Sequence, residues 1–169
     1  HPDLNVGDSL AEERIKDINS EIEVIKIKEF IRKENVEKLL SFDIDYIIDA
    51  CDTIETKIEI IKQTFNKKIK LISCMGTGKR IDPTKLEITN LSNTSYDPLA
   101  RVIRKALKDE FIKEDVKVVC STEHPLDITG TVIGSNSFVP GTAGLLCTSY
   151  IINDIVGELN AWITRSRNS

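Results

Sequence analysis

Two short apolar runs flanking a helical stripe constrain this chain more than any other feature. Ile44–Ala50, which holds Tyr46, Ile47 and Ile48, and Ile69–Cys74 both read as strands buried on two faces. Between them Ile54, Ile58, Ile61 and Phe65 recur at spacings of four, three and four, a core-facing helical stripe. A strand, a helix and a strand in this order predict a parallel pair joined by a right-handed crossover. The expected fold class is therefore α/β.

The flanks extend this unit. Upstream, Ala11–Asn19 reads as a short helix and Lys33–Leu40 as one or two helical turns. Glu21–Phe30, where Ile22, Val24, Ile25 and Ile27 sit among charged residues, reads as a strand. Downstream, a Gly-x-Gly turn at Gly76–Gly78 precedes a strand near Lys85–Leu91 and a helix opened by Asp97-Pro98. On that helix Leu99, Val102, Ile103, Ala106 and Leu107 share one side, while Arg101, Arg104, Lys105 and Lys108 form a basic outer stripe. Lys117–Ser121 is a short strand, Thr122–Pro140 an irregular loop, and Gly141–Val156 a final helix packed by Leu145, Leu146, Ile151, Ile152 and Ile155. The expected organisation is a leader over 1–10, one domain over 11–157 and a frayed tail over 158–169.

Charge and cysteine usage exclude several function classes. With 23 basic against 27 acidic side chains the net charge is -4, so nucleic acid is not held by overall positive charge and any RNA contact needs a local patch. The apolar run Gly141–Tyr150 is about half of what spans a bilayer, and the expected location is the cytoplasm. Cys51, Cys74, Cys120 and Cys147 form no Cys-x-x-Cys pair, which argues against a zinc site or a disulfide framework.

In an open parallel sheet, ligands gather at the carboxyl ends of the strands. Asp52 stands at such an end, between a buried strand and the following helix. Its carboxylate suits either a helix cap, in a variant capping box Asp52-Thr53-Ile54-Glu55, or a magnesium ion on a nucleotide phosphate. Gly76-Thr77-Gly78 is followed by Lys79-Arg80-Ile81-Asp82-Pro83, which does not read as a helix, so a turn between strands is favoured over a phosphate cradle. Cys120-Ser121-Thr122-Glu123-His124 crowds a thiol, a hydroxyl, a carboxylate and an imidazole into five residues. Alternate strand residues face opposite ways, so buried packing of Cys120 competes with a nucleophilic role. The basic helix stripe is either a solvated face or an RNA-backbone contact.

Taken together, several segments resemble one family. Glu13-Arg14-Ile15, Asp17-Ile18-Asn19 and Asp45–Asp52 followed by Lys57 are similar to the second half of the adenylating domain of ubiquitin-activating-like (ThiF/MoeB/HesA) enzymes. Gly76–Thr84, Asp97-Pro98-Leu99-Ala100 and Cys120-Ser121-Thr122-Glu123 resemble the branch that dehydrates threonylcarbamoyladenosine in tRNA to its cyclic form. The resemblance covers about Ala11 to Val156. It implies a partial Rossmann-like parallel sheet, continued by mixed strands and two longer helices, without the N-terminal nucleotide-binding half. It also implies ATP and magnesium as cofactors, with Asp52 facing the phosphates and the metal and Cys51 beside the nucleotide. tRNA is the implied partner, contacted by Arg101, Arg104, Lys105 and Lys108, and a homodimer and a sulfur-relay protein are further implied partners. Activation of a ubiquitin-like or sulfur-carrier protein, and a non-catalytic dimerisation module, are the alternative functions. The family's glycine-rich loop, ribose-binding acid and phosphate-contacting arginine belong upstream of residue 11. The opening His1-Pro2-Asp3 suggests an internal fragment, so these 169 residues alone are expected not to turn over ATP.

Overall fold

The structure, a computed structural model, describes residues 4–127, 134 and 136–167. The chain divides at Phe30 into two compact units. In the first, helix α1 spans Leu4–Ile18, so the expected leader is helical from Leu4 onward, while residues 1–3 lie outside the described residues. Glu12 on α1 pairs with Lys16 at 3.2 Å and with Lys26 at 2.5 Å. The strand expected over Glu21–Phe30 does not form: no residue there pairs in a ladder, and Ile25, Ile27 and Phe30 are exposed. Alternation marks a segment able to pair, but a strand also needs a neighbour to pair with.

The second unit, from Ile31, carries the sheet. A 3-10 turn and helix α2 (Val36–Leu39) lead to β1 (Tyr46–Asp49), α3 (Ile54–Lys67) and β2 (Lys70–Cys74). β3 (Leu86–Asn90), α4 (Pro98–Asp109), β4 (Lys117–Ser121) and α5 (Phe138–Arg167) follow. The sheet order is β1-β2-β4-β3. β1 runs parallel to β2, with Tyr46 opposite Lys70, and β2 runs parallel to β4, with Ile72 opposite Lys117. β3 closes the other edge antiparallel to β4, Leu86 facing Ser121.

Helices cover both faces, as a parallel sheet requires. On one face Ile61 of α3 and Ala100, Ile103 and Leu107 of α4 pack on Val118 and Cys120. On the other, Ala143 and Cys147 of α5 pack on Ile72 and Val119. The two-residue period of β4 thus sends Val118 and Cys120 one way and Val119 the other. Val36, Leu40 and Ile60 form a third, smaller cluster.

The helix ends differ most from expectation. α5 starts at Phe138, inside the expected loop, and continues to Arg167 past Gly157, where fraying was expected. The remainder of that loop falls partly on residues 128–133 and 135, outside the described residues. On α4, Val102 was expected to face the core and is instead 42% exposed, and on α5 Leu146 and Ile151 pack as expected whereas Leu145, Ile152 and Ile155 are 73, 53 and 42% exposed. α3 and α4 both end with a non-glycine residue in the left-handed region, Lys68 and Phe111, each at a φ of 58°. In each case two backbone hydrogen bonds close the end: Ile69 N to Thr64 O and Lys68 N to Phe65 O, and Ile112 N to Leu107 O and Phe111 N to Lys108 O. This is the Schellman arrangement, in which glycine usually holds the left-handed position.

Candidate functional site at the carboxyl edge of the sheet

The carboxyl ends of β1 and β2 are joined by a buried polar hub. Asp49, the last residue of β1, is 3% exposed, and Lys57, one turn into α3, is fully buried. The Lys57 ammonium donates to Asp49 Oδ2 at 2.7 Å, to Ser73 Oγ at 3.2 Å and to Cys74 O at 2.9 Å. All three of its protons are thereby placed. Ser73 Oγ donates in turn to Asp49 Oδ2 at 2.6 Å, and Cys51 N donates to Asp49 Oδ1 at 3.0 Å. A charge removed from water is tolerated only when paired and fully hydrogen-bonded, and this hub meets that condition. Its mechanical effect is to fix the β1–α3 turn, residues 50–53, against the end of β2.

Asp52 sits on that turn. It is exposed, and its carboxylate accepts no hydrogen bond from the first turn of α3. The N-cap is Thr53, whose side chain makes no cap bond either, so the capping reading of Asp52 fails. Cys51 beside it is half-buried, and burial, reinforced by the Asp49 carboxylate, pushes its thiol up to about 12. It is therefore a neutral thiol at physiological pH and a poor nucleophile.

The neighbouring loop after β2 is tied down by a second set of contacts. Asp97, also buried, caps α4 by accepting from Ala100 N at 3.0 Å and accepts from Gly76 N at 3.1 Å. The buried Arg80 donates to Gly78 O at 3.0 Å and to Tyr96 O at 3.3 Å. Glu123, just past β4, accepts from the amides of Ile81 and Asp82 at 3.2 and 3.1 Å. Gly76-Thr77-Gly78 is thus a clamped turn and does not open a helix. Of the crowded Cys120–His124 segment, Cys120 faces the α4 side of the core, its thiol pushed up to about 11 mainly by burial. His124 lies against Tyr96, ring centroids 3.7 Å apart. No nucleophile and base meet here.

Residues 9–157 match the ThiF family. The chain belongs to this family. It is 38% identical over 167 residues to the tRNA threonylcarbamoyladenosine dehydratase of Bacillus subtilis (strain 168), an alignment that covers 89% of this chain and 66% of that protein. Against the enzyme of that name from Escherichia coli (strain K12) the identity is 35% over 158 residues, covering 86% and 59%. Among solved structures it is similar to E. coli tRNA N6-threonylcarbamoyladenosine dehydratase, TcdA, in complex with AMP, with a TM-score of 0.79, 30% identity, and 89% and 64% of the two chains covered. The TcdA complex with ATP gives a TM-score of 0.79 and covers 89% and 63%. The chain thus spans slightly less than two-thirds of these relatives.

Within this ThiF-family fold the residues singled out from sequence separate into two groups. Cys51 and Asp52 lie together at the carboxyl edge of the parallel strands. The basic stripe of α4 runs away from that edge: α4 is capped by Asp97 beside Gly76, and its far end shares a groove with Asp115, just before β4 begins. Arg104 is moreover committed internally, donating to Leu91 O at 3.2 Å, to Thr94 O at 2.9 Å and to the Thr94 hydroxyl. Arg101, Lys105 and Lys108 remain exposed.

Lys57 is the residue whose importance the pattern hid. It lies three residues after Ile54 and four before Ile61, on the inner stripe of α3, where a lysine is out of place unless an acid meets it. Removing one partner of a buried pair leaves the other charge uncompensated. We expect Lys57→Met to cost about 3–5 kcal/mol and the double change Asp49→Leu with Lys57→Met to recover much of it. Urea unfolding measures both; a loss below ~1 kcal/mol for Lys57→Met would show that the hub does not hold the site.

Proposed function

We propose that this chain forms the second part of the adenylating domain of an ATP-dependent tRNA threonylcarbamoyladenosine dehydratase, which activates the carboxyl of the modified adenosine so that ring closure follows. The observation that carries this is the 38% identity over 167 residues to an enzyme of that name. Asp52 is the residue of this chain that would face the nucleotide. Its exposed carboxylate has no competing internal partner and lies where ligands of parallel sheets collect. Among the described residues no three acids, cysteines or histidines cluster to form a metal cage. A single carboxylate suits magnesium, which keeps waters and is shared with substrate phosphates. Bound magnesium-ATP would supply the activated leaving group for the substrate carboxyl. The chain's own part is to hold Asp52 in position through the Asp49–Lys57–Ser73 hub and to line the nucleotide with Cys51 as an uncharged thiol.

Activation of a carrier protein by transfer to Cys51 or Cys120 is less favoured, because burial pushes both thiols up. A sulfur-relay partner would use neither as a transfer group. A homodimer is part of this reading. Phe138, Leu145, Ile152 and Leu159 repeat every seven residues along α5, each more than half exposed, at 67, 73, 53 and 54%. A stripe of this kind suits a helix that pairs with a second copy, which supports the homodimer.

Two measurements test the reading. Deleting the gene should abolish cyclic threonylcarbamoyladenosine in tRNA digests while leaving the uncyclised nucleoside, and an unchanged nucleoside profile would remove the assignment. In the intact enzyme Asp52→Asn should lower kcat by roughly a hundredfold with no loss of Tm, since the carboxylate supports nothing in the fold. For the dimer, light scattering should give twice the chain mass, and Leu145→Glu with Ile152→Glu should give the single mass. A monomer at micromolar concentration before mutation would overturn it.

A further inference from the structure

At the far end of α4 lies a groove of about 760 Å³, lined by Leu91, Arg101, Lys105, Lys108, Phe111 and Lys113 among others. We propose that it docks RNA, with an unpaired base stacked on Phe111 and the adjoining phosphates against Arg101, Lys105 and Lys108. This rests on the tRNA reading above and adds a second contact, away from the reacting nucleoside.

Two independent features support it. Phe111 is 89% exposed, the highest value for a large apolar side chain among the described residues, and it occupies the left-handed cap position that glycine normally fills. At the matching position of α3 the residue is Lys68, which water solvates. The two backbone hydrogen bonds of the Schellman end offset the backbone strain, but among the described residues no other ring lies against Phe111 to shield it from water. A flat, unshielded ring is, however, the surface on which a nucleobase stacks.

The second feature is charge. Arg101, Lys105 and Lys108 follow one another at helical spacings of four and three, with Phe111 three further on, so cations and ring lie along one line. None of the three cations forms an ion pair among the described residues. Glu114 and Asp115 also line the groove and Asp109 follows Lys105 by one turn, but none of these acids pairs with the three cations among the described residues, and Glu110 is paired with Lys62 at 2.5 Å. On a chain of net charge -4 this is the local patch that RNA would need. An acidic peptide would satisfy the cations but leave the ring without a partner.

The groove brackets the start of β4, at the opposite end of the sheet from Asp52, so its loss should raise KM for tRNA and leave kcat unchanged. The test uses the intact protein with an unmodified tRNA transcript and a fluorescein-labelled oligouridylate as probes. Phe111→Ala should weaken both roughly tenfold with an unaltered salt dependence. Lys105→Ala and Lys108→Ala should each reduce the slope of log affinity against log salt by about 1. Phe111→Gly should bind as poorly as Phe111→Ala yet melt at a higher temperature, which separates lost stacking from lost folding. Unchanged binding by Phe111→Ala overturns the inference, as does displacement of RNA by polyglutamate at equal concentration. A protein that binds no tRNA removes the tRNA reading as well, whereas one that binds it irrespective of the ring removes this inference alone.

Discussion

The candidate site depends on one buried ammonium. Lys57 reaches from α3 into the gap between the ends of β1 and β2 and finds there a carboxylate, a hydroxyl and a carbonyl. Hydrophobic contacts alone would hold α3 against the sheet but would leave its rotation and the path of the preceding turn loosely specified, since apolar packing is not directional. Three hydrogen bonds from a single nitrogen remove that freedom. Because Asp49 also accepts from Cys51 N, the same carboxylate that neutralises Lys57 sets the backbone direction leading into Asp52. The exposed acid can then remain free of internal partners, its position being fixed by residues beneath it.

A comparable division appears in the loop after β2. Asp97 and Arg80 are buried and Glu123 is half-buried, and all three act on backbone groups: Asp97 on Gly76 and Ala100, Arg80 on Gly78 and Tyr96, Glu123 on Ile81 and Asp82. This edge of the sheet is therefore built from two irregular segments whose amides and carbonyls are satisfied by side chains, which buried backbone outside regular structure demands. The segment that resembled the dehydratase branch of the family, Gly76–Thr84, is this clamped loop. Its polar residues are largely spent on holding its own shape.

Much of the sheet was legible in the sequence because short apolar runs mark strands: β4 was read at its observed limits, and β1 and β2 to within two residues, although β1 is an edge strand with Ile48 44% exposed and is not buried on two faces as expected. Patterns that depend on a partner were less informative. Glu21–Phe30 alternates as a strand should, yet pairing is a property of two segments, and none pairs with it among the described residues. Val102 lies near the boundary of the apolar arc of α4, where a small rotation decides between core and solvent. α5 passes through Gly157 because one glycine costs only about 1 kcal/mol in a helix, too little to stop a segment that continues with good helix formers. For the site, the acid at the strand end was visible, but its dependence on Lys57 was not. The clue was a lysine on an otherwise apolar stripe, which signals a buried counter-charge more strongly than it signals a turn of helix.

The helix ends connect local conformation to use of the surface. Neither α3 nor α4 carries the glycine that normally marks a Schellman end, so both termini had to be found from the structure. The left-handed conformation costs a residue with a side chain on the order of 1–2 kcal/mol, whichever side chain it is. At Lys68 the substituent is at least well hydrated. At Phe111 the same conformation holds an aromatic ring out in solvent, beside three cations that form no ion pair among the described residues and at the sheet end opposite Asp52. Folding stability would favour glycine there, and an RNA contact of the kind proposed above would give the ring a partner. A long, stiff polyanion such as tRNA can touch both ends of the sheet at once, and a contact remote from the chemistry adds affinity without disturbing the geometry at Asp52.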